Sequence, residues 1–152
     1  MGGLEKDCVT GAISTDPANH AAMIETRRRK VARIACDIPA QEVIEAGVPT
    51  DTLLVGWGGT YGHLRTAAAE LTAEGVPVDL VQLRYINPLP ANMGEIFARY
   101  KRVIVAELNT GMLADYLQSR FPEAHIERIN KVQGQPFMVE EVAEAVKRII
   151  NS

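Results

Sequence analysis

The chain of 152 residues contains only two cysteines, Cys8 and Cys36, which lie far apart and without the spacing of metal ligands. Two thiolates cannot hold an iron–sulfur cluster, which usually takes four. Their separation favours reduced thiols over a disulfide. The low cysteine content therefore argues against both a cluster and a disulfide framework in this chain.

An excess of positive charge and a long apolar run are also absent. The net charge of −3 is not typical of a nucleic-acid-binding protein, which usually carries a basic excess. No apolar run approaches the ~20 residues that span a bilayer, and the polar start MGGLEKD is unlike a signal peptide. We expect a cytoplasmic protein that contacts neither nucleic acid nor membrane.

The usual motifs of a self-contained enzyme are missing as well. No Gly-Lys-Ser/Thr follows the glycines as a Walker motif requires. The three histidines, His20, His63 and His125, are scattered, and no Ser-His-Asp or Cys-His arrangement accompanies them. We predict neither catalytic residues nor a metal site in this chain.

The N-terminal part has little hydrophobic periodicity. Met1–Thr15 carries Gly2, Gly3 and Gly11 and is expected to form an extended or mobile arm. Asp16-Pro17 is typical of a helix start, and Pro39 ends the helical pattern. The apolar residues near one face of this helix are Met23, Ile24, Val31, Ile34 and Ile38. Its basic residues are Arg27, Arg28, Arg29, Lys30 and Arg33, which form either a solvated face or a docking surface for an acidic partner domain.

From Thr52 onward, strand and helix patterns alternate. Short apolar runs predict strands, and 3.6-residue periodicity between them predicts helices. The predicted strands are Thr52–Trp57, Pro77–Leu83, Arg102–Glu107 and Ile126–Ile129; the predicted helices are Leu64–Glu74, Ala91–Tyr100, Met112–Phe121 and Val139–Ile150. This alternation predicts an α/β fold with a mainly parallel sheet that helices cover on both faces.

The first strand runs into a glycine-rich turn, LLVGWGGTYG. Its spacing, G-x-G-x-x-x-G, differs from the dinucleotide fingerprint, and the second strand ends at Arg84 where that fingerprint needs an acid. The glycines favour a tight turn with close helix–strand packing. The alternative is an anion or coenzyme A site at the following helix N-terminus. Candidate ligand or interface residues in this turn are Trp57, Gly58, Gly59, Thr60, Tyr61 and Gly62.

Polar residues follow the other strands. Arg84 is placed to bind a carboxylate or phosphate, or to pair with Glu107 at the end of the next strand, and we favour the pair. Glu107 and Asn109, a carboxylate and an amide at the end of the third strand, are candidate ligand or interface residues; alternatively, Asn109 caps the next helix. The loop after the fourth strand offers Lys131, Gln133 and Gln135, either to a partner or anionic ligand or as an ordered surface loop.

Several strings taken together are more specific than each alone. They are GLEKD, DPANH, VGWGGTYG, LRYINPLP, AELNTGML and INKVQGQPF. With them the chain resembles, from Gly3 to the final helix, the C-terminal part of the alpha subunit of 2-oxoacid:ferredoxin oxidoreductases, in particular the 2-oxoglutarate type. Gly59 stands where the family usually has Ser, and that small residue still allows the turn.

The resemblance implies a fold like the transketolase C-terminal domain, a three-layer α/β/α sandwich with a mostly parallel, about five-stranded sheet. It also implies a complex that decarboxylates a 2-oxoacid, forms acyl-coenzyme A and passes electrons to ferredoxin. Thiamine diphosphate, magnesium, an iron–sulfur cluster and coenzyme A would serve the full complex, with the thiamine sites in the preceding part of alpha and in the beta subunit.

This chain has no GDG-type thiamine and magnesium motif. We therefore expect an excised domain or truncated product that binds no cofactor, is inactive alone and serves assembly. Residues 1–38 are expected to form an interdomain connector with a basic helix, and residues 39–152 the transketolase C-terminal-like domain. The expected partners are the remainder of the alpha subunit and the beta subunit, with ferredoxin acting on the full complex.

Overall fold

The computed structural model describes residues 4–152, so the part of the predicted arm that includes Gly2 and Gly3 lies outside the described residues. Residues 4–15 form a hairpin, in which Ser14 N–H donates to Glu5 O at 3.0 Å. Asp7 shapes its turn by accepting hydrogen bonds from the backbone N–H groups of Val9 and Thr10. The prediction of an extended or mobile arm is wrong here, because Asp7 organises a local turn that leaves no trace in the hydrophobic pattern.

The first helix, α1, spans Pro17–Arg33 and ends in a 3₁₀ turn, Ile34–Cys36. Asp16 caps it as predicted, because its carboxylate accepts hydrogen bonds from the backbone N–H groups of Ala18 and Asn19. The helix buries none of its residues. Its apolar residues therefore have no core to pack against within residues 4–152.

Four parallel strands form the sheet in the order β2-β1-β3-β4. The strands are β1 (Thr52–Trp57), β2 (Asp79–Leu83), β3 (Arg102–Glu107) and β4 (Ile126–Asn130). The helices of this domain are α2 (Tyr61–Ala73), α3 (Met93–Phe97), α4 (Met112–Arg120) and α5 (Val139–Ile150), with a 3₁₀ turn at Gly58–Thr60. The sheet has one strand fewer than the resemblance implied. Beside β2, the fifth position is a single antiparallel bridge between Ile44 and Leu80.

Two apolar cores lie on opposite faces of the sheet. Leu53 and Val55 of β1 pack with α3 and α4, whereas Leu54 between them packs with α2 and α5. Successive side chains of a strand point to opposite faces, so a strand covered on both faces is apolar throughout. The predicted three-layer α/β/α sandwich is therefore confirmed.

All four strands run in the same direction, so the loops that follow them meet at one edge of the sheet. We call these loops the carboxyl edge; they comprise residues 58–60, 84–92, 108–111 and 131–138. The strand order reverses between β1 and β3, and α2 and α4 leave on opposite faces there. In open α/β sheets this edge is where ligands and partners are usually bound.

Candidate functional site

The glycine-rich turn needs its first two glycines for different reasons, Gly56 for close packing and Gly58 for its backbone conformation. A Cβ on Gly56 would clash with Leu64 Cδ1 and lie 2.8 Å from Thr60 Oγ1. Gly58 has a φ of +59°, a conformation that favours glycine. Thr60 Oγ1 closes the turn by accepting from Trp57 N–H at 3.2 Å and donating to Trp57 O at 2.9 Å. The tight-turn interpretation is confirmed for these positions.

Packing within the chain does not account for the other two glycines. A Cβ on Gly59 or Gly62 would meet no atom within 4 Å, and neither residue has a positive φ. Trp57 is half-buried against the core on the α3 and α4 face, whereas Tyr61 is 37% exposed. The outer part of this turn is therefore open to an approaching molecule.

The predicted pair between Arg84 and Glu107 is wrong. Glu107 is fully buried, and its two oxygens accept hydrogen bonds from the backbone N–H groups of Leu113 at 2.9 Å and Ala114 at 3.0 Å. The carboxylate thus satisfies donors at the N-terminus of α4, which favours negative charge. Arg84 is exposed and makes no ion pair within residues 4–152.

Asn109 completes the same helix start. Its Oδ1 accepts hydrogen bonds from Gly111 N–H at 2.8 Å and Met112 N–H at 2.9 Å. This geometry agrees with the capping interpretation of Asn109. The side chains of Glu107 and Asn109 therefore both serve the start of α4, while Leu108 and Met112 are exposed.

The loop after β4 is anchored by its lysine. Lys131 Nζ donates to Pro136 O at 2.9 Å and to Glu141 Oε2 at 2.6 Å, and its side chain is only 9% exposed. Gln133 and Gln135 are exposed and make no side-chain hydrogen bond among the described residues. The structure therefore supports an ordered surface loop, in which Lys131 is not available to an anionic ligand.

A cleft of about 350 Å³ opens beside β2. We call it the Arg84 cleft. A strap, residues 39–44, forms one wall, and Arg84 and Tyr85 at the end of β2 form another together with Tyr61 and Gln82. Its lining residues are Pro39, Ala40, Gln41, Glu42, Ile44, Tyr61, Gln82, Arg84, Tyr85 and Pro90. A concave, partly apolar space with a few polar groups is typical of a binding site.

Large apolar side chains are exposed around the same edge. Six of them lie within the loops that follow the strands or at the first residue of the helix beyond. We call them the carboxyl-edge patch: Tyr61, Tyr85, Leu108, Met112, Val132 and Met138. Elsewhere in residues 39–152, the exposed large apolar side chains are Ile44 and Val48. Clustered apolar exposure usually marks an interaction surface.

Within residues 4–152, no three His, Cys, Asp or Glu side chains are grouped to hold a metal ion. Cys8 and Cys36 are exposed free thiols, as the sequence predicts. His20 lies 3.3 Å from Glu5, and His125 lies 3.4 Å from Glu127. Over the same residues, no helix has both the length and the apolar character to traverse a bilayer.

The fold and site together define an α/β domain with a parallel sheet, helices on both faces and exposed apolar side chains along its carboxyl edge. Residues 50–142 match the family described as pyruvate:ferredoxin oxidoreductase core domain II, and the chain belongs to that family. This match agrees with the resemblance inferred from the sequence.

Individual relatives agree. The 2-oxoglutarate oxidoreductase subunit KorA of Mycobacterium tuberculosis is 35% identical over 147 residues, which are 97% of this chain and 22% of that subunit. The 2-oxoglutarate:ferredoxin oxidoreductase from Magnetococcus marinus, solved with 2-oxoglutarate, coenzyme A and succinyl-CoA bound, has a TM-score of 0.80 and 31% identity. That match covers 93% of this chain and 25% of the other.

A more distant structure shows likeness of fold alone. An inactive β4 tetramer of a split-gene transketolase is 19% identical with a TM-score of 0.56, and the match covers 72% of this chain and 41% of that one. The predicted similarity to transketolase is therefore confirmed at the level of fold. The chain itself spans only about a quarter of the length of the oxidoreductase relatives that it matches.

Proposed function

We propose that this chain is a non-catalytic assembly domain of a 2-oxoacid:ferredoxin oxidoreductase alpha subunit. The observation that carries the proposal is the carboxyl-edge patch, whose exposed apolar residues follow all four strands. A domain that buries two apolar cores and still exposes such a patch has surface left for a partner. The open space at Gly59 and Gly62 in the same edge fits close approach by another backbone.

The partners in this proposal are the remainder of the alpha subunit and the beta subunit. The full complex, working in the cytoplasm, would oxidatively decarboxylate a 2-oxoacid to acyl-coenzyme A and reduce ferredoxin. Thiamine diphosphate, magnesium and the iron–sulfur cluster would be held outside this chain. The names of two relatives support 2-oxoglutarate as the substrate. This chain alone is expected to be inactive.

The N-terminal unit has a part in the same assembly. We propose that residues 1–38 connect this domain to the rest of the subunit and that residues 39–152 form the docking domain. Ile24, Val31 and Ile34 of this unit are exposed, and the nearby Lys30 and Arg33 make no ion pair within residues 4–152. A helix with exposed apolar and basic side chains is complementary to a partner surface that is apolar and acidic.

The experiment is a pull-down of the tagged chain with the remaining alpha segment and the beta subunit, coexpressed. The matched pair of variants is Val132→Glu in the patch and Val48→Glu in the loop before β1, because these valines are 65% and 52% exposed. We expect wild type and Val48→Glu to associate and Val132→Glu to associate poorly. A correctly folded wild-type chain that captures neither partner would count against the proposal.

The alternative of an anion or coenzyme A site at the glycine-rich turn stays a prediction. Titration of the chain with coenzyme A, followed by amide chemical shifts of Gly58, Gly59 and Gly62, checks it directly. Unchanged shifts at millimolar ligand would remove this alternative and leave the assembly proposal untouched.

A further inference from the structure

Two cationic side chains, Lys131 and Arg84, lie in the loops that follow the strands, and only one of them has an acidic partner within residues 4–152. Lys131 is neutralised by Glu141 within the domain. Arg84 has no such partner among residues 4–152, and its side chain lines the Arg84 cleft. The carboxyl edge therefore presents one cation that the described residues leave uncompensated.

The cleft beside this cation is held in shape. Gln41 N–H donates to Asn92 Oδ1, and Asn92 Nδ2 donates back to Gln41 O, both at 2.9 Å. Further along the strap, Ile44 and Leu80 exchange two backbone hydrogen bonds of 2.8 and 2.9 Å. These two attachments fix the strap at Gln41 and Ile44, so the cleft is already formed before anything enters it.

The cleft is also continuous with the carboxyl-edge patch. Tyr61 and Tyr85 belong to both, and they line the cleft together with Arg84. Tyrosine and arginine are the residues that most often carry the binding energy of protein interfaces. A partner that covers the patch would therefore cover the mouth of the cleft and enclose the guanidinium.

We infer that the Arg84 cleft receives an acidic side chain of the polypeptide that docks on the carboxyl-edge patch. The inference rests on the proposed assembly function and adds the chemistry of the partner at one point. Burying an arginine in an interface without a bound anion carries a large desolvation free energy, because the charge loses its hydration without gaining a partner. A carboxylate satisfies it with two parallel hydrogen bonds, which a planar guanidinium is shaped to donate.

One acid within the chain competes for this role. Glu42 lines the opposite wall of the cleft, and its carboxylate makes no ion pair among the described residues. If docking only pressed Glu42 onto Arg84, no acid from the partner would be needed. Glu42→Gln separates the two cases. If Glu42 supplies the acid, this variant leaves Arg84 uncompensated in the complex. If the partner supplies the acid, Arg84 is still paired.

The test is a binding titration of the labelled chain against the complex of the remaining alpha segment and the beta subunit. We expect Arg84→Gln to weaken docking by about 30-fold or more, and Arg84→Lys to restore it only partly because lysine cannot donate in parallel. Glu42→Gln should dock at least as well as wild type. The matched control, Arg148→Gln on α5, removes an exposed arginine with no ion pair in the described chain and should change nothing.

Each contrary outcome has its own meaning. Equal docking of wild type and Arg84→Gln overturns the inference and leaves the assembly proposal standing, whereas failure of the wild type to dock removes both. If Glu42→Gln weakens docking as much as Arg84→Gln does, the acid that pairs with Arg84 is Glu42 of this chain, and the inference is overturned. Titration of wild type and Arg84→Gln with inorganic phosphate tests whether the cleft binds a small anion instead. The inference is overturned if phosphate binding requires Arg84 while docking of the partner does not require it.

Discussion

The backbone N–H of Leu113 lies 2.9 Å from Oε2 of Glu107, a carboxylate that solvent does not reach. The other oxygen accepts from Ala114, so a buried acid at the end of β3 starts the helix that follows. A carboxylate is well placed there because helix N-termini carry free N–H donors and a positive partial charge. The position at which many α/β domains hold a ligand anion is filled here by the chain itself.

Glu107→Gln should therefore destabilise the domain. The amide keeps one acceptor but turns an NH₂ group toward a backbone N–H, which leaves buried donors unpaired at a cost of about 1–3 kcal/mol. Chemical denaturation, followed by far-ultraviolet circular dichroism, measures this cost. Glu123→Gln, an exposed acid without an ion pair in residues 4–152, is the matched control and should stay near wild type. Equal stability of the two variants would contradict the capping role.

Gly56→Ala and Gly59→Ala form a second matched pair. The added methyl at position 56 would overlap Leu64 and crowd Thr60, so we expect a loss of about 1–3 kcal/mol in the free energy of unfolding. At position 59 the methyl enters open space, and the stability should be equal or slightly higher. The same Gly59→Ala variant should weaken association with the partner if another backbone approaches that turn. Equal destabilisation by both substitutions would contradict the packing argument.

Tyr100 supports the start of β2 through Asp79. Its hydroxyl donates to Asp79 Oδ2 at 2.6 Å, and Asp79 Oδ1 accepts from Ala46 N–H at 2.7 Å. We expect Tyr100→Phe to cost about 1–3 kcal/mol, because the buried Asp79 loses a donor. Tyr116→Phe is the control, since that hydroxyl makes no hydrogen bond in the described chain. Thermal unfolding of both variants measures the difference.

Burial, helped by the bond to Asp79, raises the pKa of Tyr100 above its ordinary value of 10.0. A group whose pKa is raised on folding contributes stability that is complete below the unfolded pKa and is lost as the pH rises toward the folded one. The contribution of Tyr100 should therefore be full at neutral pH and decline above pH 10.0. Phenolate absorbance, compared between wild type and Tyr100→Phe, should show Tyr100 titrating above pH 10.0, and an ordinary titration midpoint would contradict its burial.

The sequence predicts the sheet better than it predicts the contacts at the edge. The limits of β1, β3 and α5 agree with the structure because buried strands and amphipathic helices have their own periodicities. The site is different, since Glu107 bonds to a helix start beyond Asn109, and only the folded backbone shows which donors it faces. The hydrophobic pattern does not indicate the hairpin at residues 4–15 for a related reason. Its turn depends on hydrogen bonds to one aspartate, and its sequence has no apolar alternation.

The hairpin is fastened to α1 by a pair of charges. Both guanidinium nitrogens Nη1 and Nη2 of Arg27 donate to Glu5, at 3.1 and 2.7 Å, and His20 lies nearby at 3.3 Å. The hydrogen bond from Arg27, with a further one from the Lys6 backbone, lowers the pKa of Glu5 from 4.5 to about 2. A depressed carboxyl pKa means that the contact is complete above pH 4.5 and is lost as the pH falls toward 2.

We therefore expect the hairpin to remain on α1 at pH 4 and to detach only near pH 2. Titration of the Glu5 side-chain carboxyl by NMR measures this midpoint. Arg27→Gln should return the pKa of Glu5 toward 4.5 and move the detachment to higher pH. Arg33→Gln is the control, because Arg33 lies on the same helix without an ion pair among residues 4–152. If the Glu5 midpoint stayed near 2 in Arg27→Gln, another group would have to hold the hairpin on α1.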